Sequence, residues 1–284
     1  MNGIGMETLT TQVEIASSWK QLDIDDMGAR AKVVAFDLDN TLARSKMRMS
    51  EHMGSLLSQL THITTVAIVS GGRFEQFRDQ VLQVLPDATD NSRLHLMPTS
   101  GTRYYRWHND AWLRVYAHDL SEADRKRAIA SLTLHAHELD LWESRTWGPQ
   151  IEDRGSQITF SALGQLAPVE AKDAWDPDNA KKNALAAAVR ADLPHLQVRS
   201  GGSTSVDISA KGIDKAYAVR KLGDILGVAV PEMIFVGDRM DPQGNDYPAA
   251  CAGTMPVRVA NPDETAAFVE ELLHSMPHSG TSTL

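Results

Sequence analysis

The sequence predicts an α/β protein in which a doubly wound parallel sheet is interrupted by an inserted α+β domain. Short apolar, β-branched runs recur along the chain; each ends in a turn rich in glycine or aspartate and precedes a segment with helical apolar spacing. Between residues 104 and 209 the pattern changes to hairpins that enclose helices, which is typical of an antiparallel module. We therefore expect core segments at 1–103, including an N-terminal extension, and at 210–284, with the insert at 104–209.

The composition favours a small-molecule partner. The 284 residues allow one large domain or two. A net charge of −9 argues against nucleic acid or an anionic membrane surface as the main partner. The N-terminus lacks a signal-peptide pattern, no apolar stretch approaches the roughly 20 residues of a membrane helix, and Cys251 is a single cysteine. We therefore expect a cytoplasmic protein without an intrachain disulfide.

Two aspartates follow the first predicted core strand. The apolar run 33–36 leads into Asp37 and Asp39, which point the same way if the chain stays extended. The carboxyl ends of parallel strands form the ligand crevice of such sheets. Two neighbouring carboxylates need a cation or a proton, so that one could attack an electrophile while the other handles a proton. By itself, however, an Asp-x-Asp pair is more often a turn or a helix cap.

Further polar signals follow later strands, in an order that suits cleavage of a phosphate ester. They are Ser70 and Gly71 in a glycine-rich turn after the run 64–69, Lys215 at a helix start, and Asp238 in the acidic loop 237–246. Backbone N–H groups at such a turn bind phosphate, and the Ser70 hydroxyl adds a donor. Magnesium prefers oxygen ligands, which Asp37, the Asp39 backbone and Asp238 could supply, while Lys215 would offset negative charge. Each signal alone has an ordinary structural interpretation; the set indicates phosphoryl transfer.

These motifs resemble those of the haloacid dehalogenase superfamily of phosphotransferases. The matching residues are DLDNTL at 37–42, Ser70, Lys215, and GD at 237–238 with ND at 245–246, within a resemblance over about 32–274. The resemblance implies a Rossmann-like core with a C2-type cap as the insert. It also implies that Asp37 is the nucleophile that forms an aspartyl phosphate, that Asp39 is the general acid and base, and that Mg²⁺ is the cofactor. The implied metal ligands are Asp37, Asp39, Asp238 and Asp246, with Asp241 as a competing candidate in the acidic loop.

Within the superfamily, the chain is most similar to the eukaryotic-type phosphomannomutase branch. The similarity lies in IEDRG at 151–155, GGSTSVD at 201–207, GIDK at 212–215 and the acidic loop 237–246. It implies that cap residues contact the sugar phosphate, and with Gly71 of the core the expected contacts are Arg154, Lys172, Ser205 and Asp207. The chain departs from the branch at two places. Gln165 stands where the branch has an arginine, and Lys172 stands near the position of a further arginine of the branch.

The departure at Gln165 bears on the expected reaction. A mutase must hold a bisphosphate that reorients in the site, so its cap binds each phosphate in turn. A phosphatase needs only water in the second half-reaction. A hydrogen bond to a charged group is worth about 1.5–3 kcal/mol, so an Arg-to-Gln change weakens phosphate binding by the cap. We therefore expect a Mg²⁺-dependent phosphatase of small phosphorylated metabolites, specifically sugar phosphates. A phosphohexose mutase and a non-catalytic sugar-phosphate sensor are the alternatives.

A homodimer is a further expectation. Trp107 and Trp112 flank the turn at 108–110 and are predicted on the first hairpin of the cap. Aromatic side chains on an exposed hairpin could pack against a second subunit, although most such tryptophans pack within their own sheet. The sequence therefore allows a dimer through the cap.

Overall fold

The computed structural model describes residues 18–201, 203–242 and 244–276. Residues 1–17 of the predicted N-terminal extension, together with Gly202, Gln243 and the tail 277–284, lie outside the described residues. Among the described helices, none is both long and apolar enough to cross a membrane.

A seven-stranded sheet forms the core, in the order β11-β10-β1-β2-β3-β4-β5. Its strands are β1 Val33–Phe36, β2 Thr65–Val69, β3 Leu94–Met97, β4 Arg103–His108, β5 Ala111–Ala117, β10 Met233–Gly237 and β11 Met255–Arg258. The pairs from β11 to β3 are parallel. β1, β2, β3 and β10 are fully or largely buried, which explains why they are mainly apolar, whereas β11 at the edge is only half buried.

Helices cover both faces of this sheet. They are α1 Ile24–Arg30, α2 Glu51–Ile63, α3 Phe74–Phe77, α7 Lys215–Leu226, α8 Tyr247–Cys251 and α9 Pro262–Ser275. Val34 and Phe36 of β1 pack in the core formed with α1, α2 and α9, whereas Val33 and Ala35 pack in the core formed with α7 and α8. The doubly wound α/β fold predicted from the sequence is therefore confirmed.

The hairpin β4–β5 belongs to this sheet rather than to the cap in which the sequence places it. His95 and Leu96 of β3 pair antiparallel with Arg106 and Tyr105 of β4. Tyr104 is buried, and its hydroxyl lies 2.7 Å from Nδ1 of His95. The hairpin therefore extends the core sheet because its aromatic residues complete the core beyond β3.

The two tryptophans that suggested a dimer lie on this hairpin. Trp107 and Trp112 face each other across the strands, edge to face, with ring centroids 5.4 Å apart. A dimer formed through these side chains would therefore use the edge of the core sheet and not the cap.

The cap consists of a four-stranded antiparallel sheet, in the order β6-β7-β9-β8, and three helices. The strands are β6 Ile151–Asp153, β7 Gln157–Ser161, β8 Leu196–Ser200 and β9 Ser205–Ala210; the helices are α4 Glu122–Glu138, α5 Val169–Trp175 and α6 Ala180–Asp192. Alternation along β7 and β9 turns Ile158, Phe160 and Ile208 toward the helices. The opposite face carries polar residues, including Thr159 paired with Asp207. We call this second surface the polar face of the cap.

Candidate active site

The sheet brings the first aspartate and the acidic loop together. Phe36 of β1 pairs with Val236 of β10, and the Asp37 N–H donates to Val236 O at 2.9 Å. Because the two strands are parallel and adjacent, the residues that follow them, Asp37 and Asp238, emerge at the same edge.

Lys215 links the end of β1 to the acidic loop. Asp214 caps α7 by accepting from the Tyr217 N–H at 3.0 Å, so the helix begins at Lys215. The Lys215 Nζ donates to Asp37 Oδ1 at 2.5 Å and also to Asp246 Oδ1. All three side chains are buried, at 5% exposure or less, so this ion pairing takes place away from bulk water.

Gly237 makes room for Asp246. A Cβ on Gly237 would lie 2.5 Å from Asp246 Oδ2, which is closer than real Cβ atoms approach. The same oxygen accepts from the Arg239 N–H at 2.9 Å, so the loop folds back on its own start. Asp246 therefore occupies the acidic-loop position for which Asp241 competes in the sequence. Asp241 is exposed instead, with its Oδ2 3.2 Å from Arg239 Nε.

Three carboxylates face one lysine in this pocket. Ligand oxygens of Asp37, Asp238 and Asp246 all lie within 4.8 Å of one another. Burial raises the pKa of Asp37 to about 8, against the attraction of Lys215, and it raises the pKa of Asp238 to about 6. Burial would lower the pKa of Lys215, but the charges of Asp246 and Asp37 outweigh it and raise that pKa.

This donor set fits a hard divalent cation. Two buried carboxylates and the partly buried Asp238 outnumber the single ammonium of Lys215, and all their ligand atoms are oxygens, which Mg²⁺ prefers. Asp37, Asp238 and Asp246 are the side chains that would hold the ion. It would supply positive charge for the oxygens of a bound phosphate.

Among the described residues, the Asp39 carboxylate does not belong to the group formed by the three metal-ligand candidates. Its Oδ1 accepts from the Lys46 N–H at 2.8 Å and its Oδ2 from Lys46 Nζ at 2.5 Å. Burial opposes ionisation of Asp39, but the charge and hydrogen bonds of Lys46 lower its pKa overall. The metal role predicted for Asp39 would therefore fall to its main-chain carbonyl. Its side chain stays available for the acid–base role.

Lys46 is a site residue that sequence reasoning missed. It lies seven positions beyond Asp39, in a loop that the motif does not include. The signal that could have indicated it is the basic stretch RSKMR at 44–48, directly after the two aspartates. A local cluster of positive charge beside a predicted phosphate site is informative in a chain whose net charge is −9.

The turn after β2 contains Ser70 and Gly71, which the sequence predicts as phosphate contacts. Ser70 is buried, and its Oγ accepts from the Gly72 N–H at 3.1 Å, which orients the hydroxyl within the turn. A Cβ placed on Gly71 would meet no atom within 4 Å, so the space above this residue is open. Ser70 and Gly71 therefore lie at the carboxyl end of a strand next to β1.

Arg154 of the cap reaches this turn. Its Nη1 donates to Gly71 O at 2.8 Å, and its Nε and Nη2 donate to Glu152 Oε2 at 3.1 and 2.6 Å. Glu152 Oε1 also lies 3.5 Å from Nη2 of Arg73, the residue that precedes α3. The turn between β6 and β7 is thus docked on the turn that follows β2 in the core.

Lys172 lies where the cap faces Lys46. Its Nζ donates to Gln165 O at 2.9 Å, and the Gln165 side chain donates to Ser161 Oγ. Burial lowers the pKa of Lys172, and the charge of Lys46 lowers it further. One lysine from each domain therefore borders the space beside Asp39.

Ser205 and Asp207 lie on the polar face of the cap. Asp207 Oδ1 accepts from Thr159 Oγ1 at 2.7 Å, across the β7–β9 pair. A Cβ on Gly201 would lie 2.5 Å from Ser205 Oγ and 2.9 Å from Asp207 Oδ2. The two predicted cap residues are therefore neighbours, and their oxygens border the main chain at Gly201.

Comparison with known proteins gives one family and one fold. A family model described as eukaryotic phosphomannomutase matches residues 53–275. The phosphomannomutase of Spinacia oleracea is 25% identical over 253 residues, covering 87% of this chain and 98% of the relative. That of Encephalitozoon cuniculi is 26% identical over 254 residues, covering 87% and 96%.

Solved structures share the fold at lower identity. A haloacid dehalogenase-like hydrolase from Bacteroides thetaiotaomicron superposes with a TM-score of 0.57 at 14% identity, covering 85% of this chain and 99% of that chain. An N-terminally truncated Plasmodium falciparum IMP-nucleotidase superposes with a TM-score of 0.64 at 15% identity, covering 86% and 70%. At such identities the superpositions establish the fold alone.

Proposed function

Because the chain belongs to the eukaryotic phosphomannomutase family of the haloacid dehalogenase superfamily, we propose that it is a Mg²⁺-dependent phosphatase of sugar phosphates. The substrate would be a small cytoplasmic metabolite. The observation that carries the proposal is the buried group at the edge of the core sheet, where Asp37 lies beside Asp238, Asp246 and Lys215. A nucleophilic carboxylate at the end of a strand, next to a cation site, suits attack on phosphorus.

In the first half-reaction, a carboxylate oxygen of Asp37 bonds to phosphorus as the ester P–O bond breaks. Asp39 protonates the leaving sugar oxygen. In the second, water attacks the aspartyl phosphate, Asp39 accepts its proton, and the bond to Asp37 breaks. A bound phosphate would compete for Lys46 and raise the pKa of Asp39, which prepares Asp39 to act first as an acid.

Hydrolysis is favoured because the cap offers little to grip a second phosphate. Arg154 already donates through Nε, Nη1 and Nη2 to Glu152 and Gly71. Gln165 carries no charge, and its side chain donates to Ser161. A mutase would need strong cap cations in both orientations of a bisphosphate.

A phosphohexose mutase is the second candidate. The match extends over nearly the full length of phosphomannomutases, which favours conservation of their reaction. Lys172 of the cap also supplies one cation on the side of Lys46. Both candidates share the aspartyl phosphate on Asp37 and differ in what accepts the phosphoryl group from it.

A release assay separates them. Purified protein is given a panel of sugar phosphates with Mg²⁺, and free phosphate is measured beside conversion of mannose 1-phosphate to the 6-phosphate with a bisphosphate activator. We expect free phosphate to equal the substrate consumed, and Asp37→Asn to abolish release. Isomerisation with little free phosphate would establish the mutase instead, and wild-type turnover in Asp37→Asn would exclude both.

A further inference from the structure

Gln80 reaches the site from a π-helical turn. The turn, Arg78–Leu82, directly follows α3 and leaves Gln80 only 4% exposed. The Gln80 Nε2 donates to Met47 O at 2.9 Å and to Asp39 Oδ1 at 3.3 Å, and its main-chain O accepts from the Met49 N–H at 3.0 Å. Gln80 therefore ties Asp39 to the loop 40–49, which carries Lys46.

The two oxygens of Asp39 have different partners. Oδ1 accepts from the Lys46 main-chain N–H and from the side chain of buried Gln80. Oδ2 pairs with the Lys46 ammonium, which sits on a flexible side chain and can move to a bound anion. Oδ2 is thus the oxygen that is free to change partner when substrate binds.

Packing alone does not account for Gln80. Within the described part of the chain, its buried Oε1 has no hydrogen-bond partner, which costs free energy. Exchanging the amide atoms would not help, because Oε1 would then face Met47 O and Asp39 Oδ1, which are both acceptors. π-Helical turns inside helices occur frequently at functional sites.

We propose that Gln80 is a positioning residue for Asp39. By holding Oδ1, it aims Oδ2 at the leaving-group oxygen in the first half-reaction and at the attacking water in the second. This inference rests on the acid–base role given to Asp39 in the proposed function.

The first test is the kinetic effect of Gln80→Leu, with Gln80→Glu as a second variant of nearly unchanged shape. Loss of a donor to a charged group predicts a fall in kcat of at least about tenfold in both, with KM changed by less than about threefold. Gln83→Leu is the matched control, because Gln83 is exposed on the same segment and bonds to exposed Arg48. Unchanged kcat in either folded Gln80 variant would overturn the inference.

A double-variant experiment separates positioning from a structural role. If Gln80 acts through Asp39, adding Gln80→Leu to Asp39→Asn lowers kcat no further. If Gln80 only stabilises the fold, the two losses multiply, and the inference is wrong.

Hydrogen exchange gives a readout that needs no turnover. Protection of the Lys46 amide, which donates to Asp39, should fall in Gln80→Leu and remain in Gln83→Leu. If wild-type protein cleaves no phosphate ester, the proposed function fails, and this exchange result alone decides whether Gln80 holds the loop and Asp39 together. Unchanged protection would contradict the inference in either case.

Discussion

At the residue scale, the site depends on a close approach that only glycine permits. Gly237 follows the buried residues of β10, and the Asp246 carboxylate packs against it. The sequence shows the Gly-Asp pair as a motif but not the reason for its glycine. The reason is the missing Cβ, since the residue is not among those with a left-handed backbone.

We predict that Gly237→Ala disrupts the cation site. The added methyl group would force Asp246 away from Lys215 and should lower the free energy of unfolding by about 1–3 kcal/mol, as overpacking does. Turnover and Mg²⁺ affinity should fall together, as measured by phosphate release and by titration calorimetry. Wild-type Mg²⁺ affinity in a folded Gly237→Ala protein would show that Asp246 does not help to hold the ion.

The buried carboxylates also predict how pH affects the metal-free protein. The pKa of Asp37 is raised from 3.8 to about 8 and that of Asp238 from 3.8 to about 6. Between the unfolded-state and folded-state pKa values, each carboxyl group binds more protons in the folded protein than in the unfolded chain. These two groups therefore make the protein less stable as pH rises from about 4 to about 8.

A bound Mg²⁺ should offset this loss of stability. Replacing EDTA with MgCl₂ should therefore raise the melting temperature more at pH 8 than at pH 5. Calorimetric scans at both pH values measure it, and Asp37→Asn, which removes one titrating carboxylate, is the control. An equal increase at both pH values would contradict this electrostatic account of the site.

At the element scale, the turn between β6 and β7 connects the cap to the turn that follows β2 in the core. Arg154 is 7% exposed and binds Gly71 O, whereas Arg125 on α4 forms a partly exposed pair with Asp153. The sequence predicts Arg154 from the IEDRG motif. It does not show that Glu152 holds the guanidinium, because that contact depends on the curvature of the turn.

We predict that Arg154→Ala raises KM for a sugar phosphate by about tenfold or more, because it removes the buried hydrogen bond to Gly71 O that holds the cap against the turn after β2. Arg125→Ala is the matched control and should change KM by less than about twofold, as expected for a partly exposed ion pair with Asp153. Steady-state kinetics on both variants measure the difference. Equal KM values in the two variants would mean that the Arg154 contact contributes nothing to substrate binding.

The elements that the sequence misassigns share a physical cause. Apolar runs of β-branched residues identify β1, β2 and β10, since these strands are buried on both faces. The β4–β5 hairpin mixes aromatic, aliphatic and polar residues without strict alternation, a pattern that fits the edge of either sheet. Its place beside β3 is decided by tertiary contacts, such as that of Tyr104 with His95, which lie outside any local window.

At the scale of the whole molecule, chain order predicts the site better than any single motif. Asp37, Ser70, Lys215 and Asp238 are separated by up to 201 residues, yet each lies at the end of a strand or the start of a helix facing one sheet edge. That topology explains why four weak signals in order predict a common pocket. Lys46 and Gln80 could not be found in this way, because they enter the site from a loop and a π-turn without a periodic pattern.

The insert divides the core sequence without dividing the core fold. The chain enters the cap after β5 and returns to the core through Ala210. It then forms α7, whose first residue is Lys215 of the site. Arg199 of β8 pairs with Asp214 at 3.1 Å, directly before that lysine, so cap and site are joined at this return point as well. The cap therefore contacts the core on two sides of the space above Asp37.

The central claim is that Asp37 accepts the phosphoryl group, and the most direct measurement is rapid acid quenching of the enzyme during turnover of a sugar phosphate, followed by mass spectrometry of its peptides. The account predicts a phosphoryl adduct on the peptide that contains Asp37, absent from Asp37→Asn. Turnover without any adduct, together with undiminished turnover in Asp37→Asn, would contradict it.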